Sequence, residues 1–247
     1  MGQPYIYPGK DNDYIKKFWV GLMDGDGSIQ VNHWRNKSLQ YRLVIKLANL
    51  TSNYNMLVQI ASSIGGNVRI TGRGEDVIWV VDSKDKIKEI IKIFDQYPPL
   101  TSRKIAQLQF LKTCFDRNSV EYYLLNRDLR YDTQENIIKN KSRELNYFNA
   151  WLAGFIEAEG CFSIRKNNSH SFSIGQNDDE YILHTIRDFF ESTNKVRTNY
   201  RNFYSIEIYK KETLNKIINH FKYYPLMGEK SVSLQKFILA LTERELK

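Results

Sequence analysis

The sequence predicts an α+β fold of two pseudo-symmetric αββαββα repeats packed through paired motif helices, and three observations carry that prediction. One set of landmarks is written twice, in the same order. Within each copy, helical apolar spacing is interrupted by two pairs of alternating segments. The first helix of each copy also has small residues four apart, a face that another helix backbone can approach closely. The repeat is direct. Phe18-Trp19-Val20-Gly21-Leu22-Met23-Asp24-Gly25-Asp26-Gly27 returns as Trp151-Leu152-Ala153-Gly154-Phe155-Ile156-Glu157-Ala158-Glu159-Gly160 at an offset of 133. Val68-Arg69 returns as Val196-Arg197 at 128, and Tyr97-Pro98-Pro99-Leu100 with Lys104 returns as Tyr223-Tyr224-Pro225-Leu226 with Lys230 at 126. Slowly shrinking offsets mean two related halves with shorter loops in the second.

In the first half the pattern predicts a helix over 13–25, a hairpin of 28–34 with 40–47, and a helix over 52–64. A second hairpin follows, 67–71 with 77–81, and then helices over 84–94 and 101–115. In the second half the corresponding elements are 147–158, 161–166, 170–176, 179–191, 195–200, 203–209, 211–221 and 229–243. Strands rest on alternation, as in Ser28-Ile29-Gln30-Val31-Asn32, and helices on spacing such as Ile87, Ile90, Ile91 and Phe94. The final glycines, Gly27 and Gly160, stand where a helix gives way to a strand and suit a left-handed cap. Residues 117–146 are polar without a dominant period and read as a linker between repeats 1–116 and 147–247.

Composition narrows the partners. The 247 residues carry 36 Lys and Arg against 28 acids, a net charge of +8. The excess is spread over both halves, with 17 basic and 12 acidic residues up to position 125 and 19 and 16 after it. Such a balance suits a polyanion. A 42% hydrophobic content supports a packed core and excludes a disordered chain. Two cysteines, Cys114 and Cys161, cannot make a disulfide framework or a four-thiolate site, which points to a reducing compartment. No apolar run approaches the roughly 18 residues that span a bilayer, so the expectation is a soluble protein with no membrane partner. The four histidines show no metal-ligand spacing, and His184 falls in an apolar helix as a structural residue.

Each motif helix ends in an acid just before its glycine stop: Asp26 and Glu159. Acids there oppose the helix dipole, and if the two helices pack together their charges also repel. For one copy alone, a solvated turn residue is the simpler reading. Two copies at the same helix end point to a divalent cation. All-oxygen ligation suits Mg²⁺, which takes one or two carboxylates plus waters and phosphate oxygens.

On these residues the chain resembles the single-chain LAGLIDADG homing endonucleases. LMDGDG and LAGFIEAEG each open a helix–hairpin–helix–hairpin unit, and the likeness extends from about Tyr14 to Leu241. The resemblance implies that Asp26 and Glu159 bind metal, together with the backbone carbonyls of Gly25 and Ala158. It also implies that Lys104 and Lys230 support the reaction, and that Gln176 orders solvent at one centre. The counterpart of Gln176 in the first half reads as Ala48, or as Asn49 if the register slips. Mg²⁺ is the implied cofactor; Mn²⁺ or Ca²⁺ would occupy the same site, Ca²⁺ without turnover. The implied activity is a metal-dependent double-strand break in a long, non-palindromic DNA duplex, made by a monomer of organellar, chiefly mitochondrial, origin as a step in intron homing.

The same likeness turns the antiparallel sheets into a DNA-binding saddle. Strand faces rich in Arg, Gln, Asn and Ser and poor in acids suit base edges in the major groove. In the first half these are Ser28, Gln30, Asn32, Gln40, Arg42, Val44, Lys46, Arg69, Thr71 and Arg73, with Trp34, Arg35, Asn36 and Lys37 at a hairpin tip. In the second they are Ser163, Arg165, Asn167, Ser171, Ser173, Lys195, Arg197, Asn199, Arg201, Ser205 and Glu207. Two alternatives stand beside this reading: an RNA-binding intron maturase of the same fold, and a basic α+β protein duplicated without catalysis. No added helix-turn-helix segment supports a transcriptional regulator.

Overall fold

The computed structural model describes residues 11–139, 145–164 and 169–245. The first half runs α1 (Asn12–Gly25), β1 (Gly27–Trp34), β2 (Ser38–Ala48), α2 (Thr51–Ile64), β3 (Asn67–Thr71), β4 (Asp76–Val81), α3 (Lys84–Gln96) and α4 (Ser102–Arg117). Two short helices follow, α5 (Val120–Asn126) and α6 (Gln134–Lys139). The second half runs α7 (Phe148–Glu159), β5 (Gly160–Ile164), β6 (His170–Asn177), α8 (Glu180–Phe189), β7 (Arg197–Thr198), β8 (Phe203–Ile208), α9 (Lys211–Tyr223) and α10 (Glu229–Glu245). Each half holds one four-stranded antiparallel sheet, ordered β1-β2-β4-β3 and β5-β6-β8-β7.

Helices α1 and α7 pack against each other at the middle of the molecule. A Cβ added to Gly21 would lie 1.9 Å from the Trp151 carbonyl oxygen, and one on Gly154 would lie 1.8 Å from that of Phe18. Trp151 is the repeat counterpart of Phe18, so the two clashes are one contact seen twice about a twofold axis. A Cβ added to Gly25 would likewise lie 2.3 Å from the Ala158 methyl. Around this crossing Phe18, Trp19, Leu22, Trp151, Leu152 and Phe155 are fully buried, each contributing about 1.5–3 kcal/mol through removal from water.

Gly27 and Gly160 are not left-handed caps, since neither has positive φ. What they need is the absence of a side chain. A Cβ would come within 2.5 Å of the Met23 carbonyl oxygen at Gly27, and within 2.7 Å of the Ile156 carbonyl oxygen at Gly160. The strand leaves so sharply that it grazes the last helical turn. One sheet therefore starts at each motif-helix end, with the two starts side by side.

The structure differs from the pattern in the sequence at the linker, at one strand and at the histidines. The polar stretch after α4 contains α5 and α6. Ser119 caps α5 by accepting the Tyr122 amide at 3.1 Å, and Tyr123 is buried with its ring against Phe110 and His33. A helix of seven residues makes under two turns, too few to show a period. The strand expected over 195–200 is regular only at Arg197–Thr198, because Tyr200 to Phe203 form the turn, with Arg201 and Asn202 at φ 52° and 59°. His184 is half-exposed beside Glu180; the buried histidines are His170 and His220.

Candidate functional site

Asp26 and Glu159 stand at the two adjacent helix ends. Asp26 caps α1 with its backbone amide on the Leu22 carbonyl at 2.9 Å. Glu159 is the last residue of α7, and its Oε1 reaches to 3.4 Å from the position a Gly25 Cβ would take. Displacement of water by surrounding protein pushes both carboxyls above the usual range. The charge of Asp26 raises Glu159 further, while Lys104 and Lys230 pull both acids back down. The four groups thus form one electrostatic cluster.

The lysines come from the first turns of α4 and α10. Lys104 is only 8% exposed; burial pushes its amine below the usual lysine range, opposed by the charges of Asp24 and Glu159. Lys230 is half-buried. Neither is an exposed residue at the start of a helix.

Two further acids hold these helices in place. Asp24 is 2% exposed and accepts the amides of Leu100 (2.7 Å) and Thr101 (3.1 Å), the Thr101 hydroxyl (2.6 Å) and the Trp151 indole (2.6 Å). Glu157 accepts the amides of Met227 and Gly228 at 3.0 Å and Lys230 at 2.9 Å. Burial pushes both carboxyls up, and these donors pull them back. A helix start leaves amides without intrahelical partners, and here the motif helix of the same half supplies the acceptor. Their repetition at one offset was visible in the sequence, but the amides they accept lie some 70 residues away in the chain.

Gln176 lies at the end of β6 on the side shared with Phe172 and Ile174. Gly27 pairs with Ile45, and Gly160 with Ile174. Two residues beyond each anchor, the counterpart of Gln176 is Leu47, rather than Ala48 or Asn49. The first half therefore has no polar side chain at that position.

The opposite side of the first sheet gathers most of the anticipated polar residues. Cross-strand pairs place Ser28 with Val44, Gln30 with Arg42, Asn32 with Gln40, and Arg69 beside Lys46 through Ile78. Gln30, Asn32, Gln40, Arg42, Asp82 and Lys84 help to line a cavity of about 470 Å³. Lys46 is engaged by Asp76 at 2.8 Å, which tempers its use as a cation. Thr71 ends β3, and Arg73 lies past it in a 3-10 turn at φ 58°. The tip Trp34–Lys37 is exposed, with Arg35 over the Trp34 ring at 5.0 Å.

In the second sheet Ser163 pairs with Ser171, Ser173 with Glu207, and Ser205 with Arg197. Ser171 is 3% exposed, so it does not join the open face. Cys161, which is not among the anticipated face residues, pairs with Ser173 and is exposed on this face. Asn199 is bound to Ser205 at 2.7 Å. Arg201 lies at the turn, over Tyr200 at 4.9 Å, and Lys195 precedes the short strand. Arg165 and Asn167 lie outside the described residues.

Among the described residues no group of three or more His, Cys, Asp and Glu side chains is arranged to hold a metal ion. A cation at the helix ends would rest on two carboxylates and nearby backbone carbonyls. That all-oxygen set, with its repulsion offset only by two lysines, fits a hard divalent ion that keeps other positions for water or phosphate.

Comparison with known proteins adds three findings. A family model described as LAGLIDADG endonuclease matches residues 19–114 and 152–241. The "Probable intron-encoded endonuclease aI3" of Debaryomyces hansenii is 52% identical over 92% of this chain, which spans 38% of that relative's length. The protein of the same name in Dictyostelium citrinum is 47% identical, with 92% of this chain and 95% of the relative covered. Among solved structures, the homing endonuclease I-LtrWI bound to target DNA superposes with a TM-score of 0.74 at 22% identity, covering 96% of this chain and 92% of its own. I-SmaMI, solved on uncleaved DNA in the presence of calcium ions, gives 0.73 at 16% identity, covering 93% and 92%.

Proposed function

The chain belongs to the LAGLIDADG endonuclease family, and from that premise we propose that it is a site-specific DNA endonuclease making a double-strand break in a long, asymmetric duplex. The observation that carries this reading is the convergence of Asp26, Glu159, Lys104 and Lys230 at the point where two unlike sheets begin.

Mg²⁺, held by Asp26, Glu159 and the carbonyls of Gly25 and Ala158, would supply an activated water and charge neutralisation at the scissile phosphate. The chain's own groups do the rest. Lys104 and Lys230 donate to the oxygens on which charge builds during attack. Gln176 orders solvent at one centre only. The open faces of the two sheets bind the duplex as a saddle, with Arg, Gln and Asn reading base edges in the first half and Arg197 with smaller groups doing so in the second. Each centre serves one strand, so the product is a double-strand break.

Both halves of the twofold interface lie in one chain, which supports a monomer with repeats at 1–116 and 147–247 and a linker between. The names of the relatives support intron homing in an organelle, and we place it in the mitochondrion. Among the described residues no helix is long and apolar enough to cross a membrane.

The test is cleavage of a randomised duplex library with Mg²⁺ by the wild type and Glu159→Gln. Site-selective double-strand cuts that vanish in the variant support the proposal. A duplex bound tightly and never cut would favour the RNA-binding maturase, with intron RNA the next substrate.

A further inference from the structure

The two lysine-bearing helices are held partly by the half to which they do not belong. On α4, Asp24 takes the amides of Leu100 and Thr101, but the next amide, Ser102, goes to Asp179 at the start of α8, at 3.1 and 3.0 Å from its two carboxylate oxygens. Asp179 and Ser102 are both completely buried. Tyr181, two residues on, donates to the Leu100 carbonyl. On α10, Glu157 takes three amides, but the Glu229 amide goes to Oδ1 of Asn53 on α2 at 3.0 Å. Asn53 is fixed in turn by donating to the Ala48 carbonyl at 3.0 Å, and its neighbour Ser52 donates to Glu229 at 2.6 Å.

Both contacts sit one or two residues before a lysine of the cluster. A small tilt of either helix start moves that lysine relative to the acids, and a displacement near 1 Å at a reacting centre costs roughly 100-fold in rate. Resting on the nuclease reading above, we propose that Asp179 and Asn53 are positioning residues acting across the halves: Asp179 sets Lys104 from the second half, and Asn53 sets Lys230 from the first. The two are unequal. Asp179 brings a carboxylate to the positive end of α4, which has only two amides on its own half's acid. Asn53 brings a neutral amide to α10, which already has three.

The experiment measures nicking of each labelled strand of a duplex recovered from the randomised library, with Lys104→Ala identifying the strand that Lys104 serves. Asp179→Asn should slow that strand by about tenfold or more and leave the other within about twofold. Asn53→Ala should bias the opposite strand, by less. Equal slowing of both strands by Asp179→Asn, or none, overturns the proposal while leaving the nuclease reading intact.

A second readout needs no cleavage. Hydrogen exchange at the Ser102–Lys104 amides should quicken in Asp179→Asn while that at Glu229–Lys230 keeps wild-type rates, and Asn53→Ala should do the reverse. If the wild type cuts no duplex, the nuclease reading falls and the exchange pattern decides alone. Faster exchange confined to the partner helix sustains the cross-half placement, and any other pattern overturns it.

Discussion

The open face of the first half is carried on strands of eight and eleven residues and lined by Gln30, Asn32, Gln40, Arg42 and Arg69. The open face of the second rests on strands of five and eight residues and one of only two; Cys161, Ser163, Ser173 and Ser205 are short, and its long side chains are Glu207 and Arg197, each opposite a serine. Beneath these faces the halves match closely. Gly21 and Gly154 receive each other's backbone, Asp24 and Glu157 hold the helices that carry Lys104 and Lys230, and Tyr14 and Tyr147 each donate across to a proline carbonyl at 2.7 Å. A residue at the twofold crossing is constrained by both halves at once, so a change there must be accommodated twice. A residue on an open face answers only to whatever lies on it.

Substitutions at the paired acids should be the most damaging. Asp26→Asn and Glu159→Gln should each lower double-strand cleavage by about 10²–10³-fold or more and leave duplex binding in place, as gel shift alongside cleavage would show. If one variant stops both cuts and the other spares both, the two acids are not equivalent and the pairing fails at its core.

The helix crossing comes next. Gly21→Ala and Gly154→Ala each drive a methyl into a carbonyl and should destabilise by about 3 kcal/mol, read from urea midpoints. Equal losses would sharpen the twofold description. A loss in one variant alone would show that the interface yields on one side.

A difference inside the core gives the third test. By the repeat offset, His220 stands where the first half has Phe94. Burial among Phe189, Phe190, Phe221 and Tyr224 pushes His220 down to about 4. Its folded value lies below its ordinary one near 6.5, so the unfolded chain takes up the proton first. The stability that depends on neutral His220 is complete above about pH 6.5 and is lost as pH falls toward 4, by up to about 3 kcal/mol. His220→Phe should remove that part of the acid sensitivity, measured as the pH dependence of the unfolding midpoint. An unchanged pH profile would mean that the ring is hydrated in solution.

Smallest is the contrast between the open faces. Arg42→Ala should weaken binding by about 1–3 kcal/mol and relax preference at one base pair, whereas Ser173→Ala should cost less than about 1 kcal/mol. Selection from a randomised duplex library with each variant measures both. Comparable costs would show that the second face binds as closely as the first through some means other than side-chain length.

Most elements were readable because periodicity and repetition are local signals. The alternation of Ser28 to Asn32 gave a strand, and the fourfold spacing of Gly21 and Gly25 gave a smooth helix face. What was missed depended on distant partners. The position matching Gln176 is Leu47 because strand pairing, counted from Gly27 and Gly160, sets the register. Ser171 alternates like its neighbours but is buried in the folded protein. Asp24 and Glu157 look like motif residues until the helices whose amides they accept are folded onto them.

The duplication, the order of elements, the two acids at the ends of the motif helices and the net positive charge are all legible along the chain, since each is a property of residue type and spacing. It takes the folded chain to show that Gly27 and Gly160 are needed for close approach rather than for a left-handed turn, that Lys104 is buried, and that each half's lysine helix leans on Asp179 or Asn53 of the other. These are contacts between segments far apart in the chain, and spacing within one segment carries no information about the surface that will meet it.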